Sequence, residues 1–357
     1  MISNHDGRLL IVFFEGTANA LDPVTTQIGL FANACQAKYV NPNSAKYIPV
    51  RGPLKMAFDG CGVTHGLTGT LFAAGLDGQC DSVVEVVHQM QNQQQRQRQL
   101  QQPTSSNYAT VRIIALGLSR GAVACQKLAL KLSGIEHISV SLLLFDPVPG
   151  NAVLTGFPFT AAWSQNLQEC TSLEQVLAIY PYQPLPAVAM HAPCLIQYPP
   201  HCRVEEDVSL GCHQGALYMP TLFPKDQYDL ASNLNFRRIR DWLGRQGVEL
   251  HFPQDVYQPT VQECIKWYRL ALLTTRSKPS EPRITHDNTG RNRTIVRKHA
   301  SENATWMNRH HEQLAAALGK DNTASLDTPV ASSPVITPKY QLDFQEGIVA
   351  CSCVPII

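Results

Sequence analysis

Gly117, Leu118, Ser119, Arg120 and Gly121 put one hydroxyl between two residues that lack a side chain. A serine hydroxyl is a weak nucleophile until a base stands beside it, so the spacing matters only where the chain presents the hydroxyl to a neighbour. Here the surroundings do so. Val111 to Leu116 is an apolar, β-branched run that reads as a buried strand, and Ala122 to Leu132 has the composition of a buried helix. A strand that turns at once into a helix lifts the serine off the sheet edge, and glycines flank it because side chains would collide across so tight a turn. Composition alone produces this spacing in such a chain about one time in ten, and about one in a hundred once strand and helix are required. The plain alternative is a glycine-rich strand-to-helix loop.

A nucleophilic serine needs a base, an acid to orient that base, and donors for the developing oxyanion. Ser139 to Phe145 reads as another buried strand and ends on Asp146, where Pro147 and Pro149 stop it. A carboxylate at the end of a strand next to the serine's own can serve as the acid. His213 lies between Gly211 and Gly215 and follows the serine and the aspartate, the order Ser, Asp, His. Glu205, Glu206 and Asp207 are also close to His213 in sequence and are alternative acids. The first apolar run, Leu9 to Phe14, leads into Glu15, Gly16, Thr17, Ala18 and Asn19. Backbone N–H groups of that small-residue loop supply one half of an oxyanion hole, and the N–H of Arg120 the other. The set describes acyl transfer from an ester through Ser119.

Elements that position these groups alternate along the chain. Helices are expected over Asp22 to Gln36, Asp81 to Met90, from Ser172, Asn233 to Leu243, Val261 to Leu273 and Ala304 to Leu318. Further strands are expected at Lys46 to Val50, Leu177 to Tyr182 and Ala192 to Tyr198. The glycine-dense stretch Asp59 to Gly78 lacks a phosphate-loop pattern and reads as a pocket-rim loop with His65 at the surface. Gln89 to Gln102 reads as an exposed helix end and loop. Residues 151–195, with Phe157, Phe159 and Trp163, suit a lid or acyl-contacting wall. The chain thus reads as a catalytic domain over 1–275 followed by a basic linker, helix and tail over 276–357. Between Arg276 and Lys298, seven cations oppose Glu281 and Asp287, so the segment is either a solvated linker or a contact for an anionic membrane. Asp321 to Pro338 is rich in Ser, Thr and Pro and reads as extended, and the closing GIVACSCVPII is no prenylation box.

With 44% apolar residues, the 357-residue chain holds a large soluble core. Its 29 basic and 28 acidic residues argue against nucleic acid as a partner. Eleven cysteines without paired metal spacing imply reduced thiols, and neither a metal nor a cofactor is expected. No leader and no spanning segment is expected, which places the chain in the cytoplasm of its producer, with any export by a specialised route.

FFEGTAN at Phe13 to Asn19, GLSRGA at Gly117 to Ala122, LFDPV at Leu144 to Val148 and GCH at Gly211 to His213 together resemble the α/β-hydrolase family DUF2235. That family includes type VI secretion lipase effectors of the Tle group. The resemblance covers residues 9 to 215 and implies an α/β fold with a mostly parallel sheet flanked by helices. It implies Ser119 as nucleophile, His213 as base, Asp146 as acid, and Gly16 and Thr17 at the oxyanion loop. It also implies a phospholipid substrate reached at a membrane surface. Glu15 stands where the family has aspartate, Ala18 where it has glycine, and Gln214, Gly215 and Ala216 replace its acidic continuation. Two other readings are a soluble carboxylesterase or thioesterase, and an inactive hydrolase-fold interaction protein. Oligomeric state and acyl preference are not written in the sequence.

Overall fold

Apolar runs without polar alternation can be satisfied only by strands covered on both faces. The computed structural model describes residues 8–42, 52–63, 75–101, 110–149, 165–183, 193, 196–213, 217–225, 227–267, 284–286 and 292–294. Seven strands form one sheet: β1 (Leu9–Phe14), β2 (Lys38–Tyr39), β3 (Leu54–Phe58), β4 (Val111–Leu118), β5 (Ile138–Phe145), β6 (Leu173–Gln183) and β7 (Arg203–Cys212). Their order is β2-β3-β1-β4-β5-β6-β7, and every pairing is parallel.

Successive residues of β1 feed opposite layers. Leu10, Val12 and Phe14 pack against α2 (Leu76–Gln101) and α3 (Arg120–Leu132), through Val83, Val87, Met90, Leu128 and Ala129. Ile11 and Phe13 pack against α1 (Gln27–Ala34) and α4 (Gln227–Arg245), through Phe31, Phe236, Ile239 and Trp242. The protein is therefore an α/β fold with helices on both faces of a parallel sheet. After β1 the chain crosses to α1 on one face, and after β4 it crosses to α3 on the other. Strand order reverses between these neighbours, and such a reversal opens a crevice at the carboxyl ends of the strands.

Several elements depart from the sequence expectation. Residues 173–176, expected as the start of a helix, are the first part of strand β6, which runs on through the expected strand at Leu177 to Tyr182 and lies between β5 and β7. The first helix spans only Gln27–Ala34, since Thr26 in extended conformation caps it and residues 21–24 form a turn. The glutamine-rich run is no loop: α2 continues through it to Gln101, and glutamine is a good helix former. The same helix begins at Leu76, inside the stretch expected as loop. Strand β3 was hidden by Lys55, whose ammonium donates to the carbonyls of Ala32 at 2.7 Å and Cys35 at 2.8 Å and so closes the end of α1. Short strands β8 (Ile284–His286) and β9 (Asn292–Thr294) pair antiparallel within the expected linker. The expected strand at 46–50, the lid residues 151–164 and 184–192, His65, the helix at 304–318 and the tail lie outside the described residues. Among those described, no helix is long and apolar enough to cross a membrane.

Candidate functional site

Ser119 sits at φ 57 and ψ −118, between the last residue of β4 and the first of α3. Side chains rarely adopt this conformation, and holding one there costs about 1–3 kcal/mol. Serine at a helix N-cap ordinarily accepts a backbone N–H of the first turn, yet Ser119 makes no such bond. Its backbone N–H instead donates to the Phe145 carbonyl at 2.9 Å, fixing the turn to β5. The flanking glycines are obligatory. A Cβ on Gly117 would lie 2.2 Å from the Gly121 carbonyl oxygen, and one on Gly121 would lie 2.3 Å from that of Phe14 and 2.5 Å from that of Glu15.

Asp146 and His213 meet at the same edge. Asp146 follows β5 in a left-handed conformation, φ 48, which aspartate tolerates better than most residues. Its N–H donates to the Ile179 carbonyl at 2.9 Å, and its side chain is wholly buried. His213 directly follows β7, is buried, and has Nδ1 2.5 Å from Asp146 Oδ2. A short bond of this kind between imidazole and carboxylate fixes the ring's orientation and tautomer. Glu205 is eight residues back along β7, about 26 Å of extended strand, and pairs with Arg238 at 2.9 Å. Glu206 is exposed, and the backbone of Asp207 in β7 pairs with Ile179 of β6. No hydrogen bond joins the Ser119 hydroxyl to His213 among the described residues; catalytic hydrogen bonds are commonly loose before substrate arrives.

The loop after β1 closes the crevice opposite Ser119. Its N–H groups divide: Gly16 donates to the Glu15 carboxylate at 3.2 Å, whereas those of Thr17 and Arg120 meet no acceptor among the described residues. Thr17 Oγ1 accepts from Arg120 Nη1 at 2.6 Å, tying the loop to the elbow. Ala18, at φ 60, donates to the Cys61 carbonyl at 3.1 Å, and Gly60 donates to that of Asn19 at 2.9 Å. A Cβ on Gly60 would fall 1.7 Å from the Gly16 carbonyl oxygen, so that glycine is what lets the two loops touch.

Glu15 underlies this loop, a role the sequence reading missed. Its buried carboxylate accepts from the Thr26 hydroxyl at 2.7 Å and from the Gly29 N–H at 2.9 Å, the latter an unpaired donor of the first turn of α1. Burial pushes its pKa up to about 7 against these bonds, and Asp59 adds to the rise. The available signal was Thr26 as an N-cap with Gly29 three residues on. A Cβ at Gly29 would stand 3.0 Å from Glu15 Oε1. No cluster of three or more metal-ligating side chains occurs among the described residues.

No protein-family model matches this chain, and no curated protein matches it either. Two solved structures are similar in architecture. An uncharacterized protein from Pseudomonas aeruginosa aligns over 77% of this chain and 51% of its own, at a TM-score of 0.43 and 12% identity. The Tle1 effector bound to the VgrG spike from the Type 6 secretion system aligns over 61% and 52%, at a TM-score of 0.35 and 14% identity. The chain spans about half the length of each. Neither likeness assigns a family.

Proposed function

We propose that the chain is a serine ester hydrolase acting on lipid esters. The observation that carries the reading is a strained serine at a helix N-cap that withholds its hydroxyl from the helix, at the sheet edge where Asp146 and His213 are hydrogen-bonded. In this mechanism Ser119 Oγ attacks the ester carbonyl while His213 Nε2 takes its proton. Asp146 on Nδ1 keeps the imidazole in the accepting tautomer and stabilises it once charged. The N–H groups of Arg120 and of the Gly16–Thr17 loop receive the oxyanion, Thr17 being the donor on that loop that Glu15 leaves open. His213 returns the proton to the leaving alcohol, and water then releases the acyl group from Ser119.

Two further features favour a lipid. Residues 60–76, 147–168 and 175–202 contain no Asp, Glu, Lys or Arg, and they follow β3, follow β5, and include and follow β6. Phe223 is 77% exposed, with Leu222 and Tyr218 also exposed beside it. Their segment is held to the first residue of α1 by Gln27, which donates to the Tyr218 carbonyl at 2.9 Å. Exposed apolar groups of this kind suit a peripheral contact with lipid. The motif resemblance extends the reading to an effector delivered to a target membrane.

A fluorophosphonate probe together with fatty-acid release from phospholipid vesicles tests the proposal. Wild type is labelled and releases fatty acid, and Ser119→Ala does neither. An unlabelled wild type overturns the hydrolase reading in favour of an interaction protein. Labelling with turnover of short soluble esters alone overturns the lipid assignment.

A further inference from the structure

Among the described residues, Arg120 is a buried cation without a counter-charge. It is 9% exposed, and among the described residues its guanidinium makes a single hydrogen bond, from Nη1 to Thr17 Oγ1, while Nε is buried with no partner. A guanidinium carries five N–H donors, so most of its capacity is unspent. The carboxylates that follow β1, β3 and β5 are bonded to other groups: Glu15 to Thr26 and Gly29, Asp59 to the Leu21 N–H at 2.7 Å, and Asp146 to His213. The uncharged runs 60–76, 147–168 and 175–202 contain no acid that could reach it. Burial lowers its pKa, and the neighbouring Cys61 thiol is what opposes that shift. Burying a charge this poorly paired is costly, and such groups persist where a ligand completes them.

Arg120 is also the residue after Ser119, and it spans the crevice to the loop after β1. We propose that its guanidinium, with the Thr17 hydroxyl, forms a subsite for an anionic oxygen group on the ester substrate, a phosphate or a carboxylate close to the scissile bond. Guanidinium geometry favours two parallel hydrogen bonds to such a group. The crevice would then read one negative charge next to an otherwise uncharged substrate. This rests on the hydrolase reading for where the ester lies, but the subsite can be tested without turnover.

The test is calorimetric binding to the full chain of three non-hydrolysable ethers: 1-O-octylglycerol, its 3-phosphate, and the carboxylate 3-O-octylglycerate. Wild type binds at least one anionic ether ten or more times more tightly than the neutral one, and the favoured anion identifies the source. The ratio collapses to about one in Arg120→Gln and is intermediate in Arg120→Lys, which keeps the charge but not the fork. Equal affinity of wild type for all three overturns the subsite, a result that needs no variant to fold. Retention of the full ratio in Arg120→Gln overturns it as well. Fluorophosphonate labelling of wild type, run alongside, reports separately on whether Ser119 is a nucleophile.

Discussion

Replacing Ser119 with alanine or with glycine removes the same hydroxyl but treats the backbone differently. At φ 57 and ψ −118, alanine keeps the strain that serine bears, whereas glycine adopts the conformation freely. Relief of such strain is worth about 1–3 kcal/mol. Glycine gives back about 0.5–1 kcal/mol through the greater freedom of the unfolded chain. The net advantage of glycine centres near ~1 kcal/mol. Domains of 150–250 residues move about 2–4 °C per kcal/mol, and a longer chain sits at the low end, so Ser119→Gly should melt about 2 °C above Ser119→Ala. Differential scanning calorimetry on the two full-length variants decides the matter, with both inactive toward the fluorophosphonate probe. An alanine variant that melts above the glycine variant refutes the claim that this serine is held in strain for its chemistry.

Asp146→Asn should lower ester turnover about 10⁴-fold through loss of the correct imidazole tautomer, while Glu206→Gln, exposed on β7, stays near wild type; the reverse pattern in steady-state kinetics would move the acid to β7. Glu15 titrates near 7 in the folded chain, against 4.5 ordinarily. Between those values the folded state holds a proton that the unfolded state has released, so the stability this group contributes is full below 4.5 and is lost as pH rises through 7. Melting temperatures at pH 5 and pH 8 should therefore fall further in wild type than in Glu15→Gln, and parallel slopes would contradict the assignment.

The central strands were legible because LLIVFF, VRIIALGL and ISVSLLLF leave no exposed face for a strand to own, and the elbow was legible because its glycines sit where backbone must meet backbone. That Asp146 and His213 meet was readable from their places after strands and from their order. What the sequence concealed were contacts made across distance. Lys55 broke an apolar pattern because its ammonium serves another element's last turn. Glu15 looked like a loop residue, yet its partners Thr26 and Gly29 lie eleven and fourteen positions away. The start of β6 was misread for a different reason: Leu173 and Glu174 precede the β-branched residues, and pairing to β5 and β7 overrode local preference there, while Leu177 to Tyr182 was legible as strand.

His213 hangs on β7, and among the described strands β7 is paired on one side only, to β6. Ser119 and the loop after β1 hang on strands paired on both sides. Outer strands open at lower free energy than central ones. The proposed proton acceptor is therefore the least anchored member of the site, and under that proposal transient fraying of one strand would silence the serine while the rest of the sheet stays closed. Loss of activity on heating is then an event of the periphery that precedes collapse of the centre.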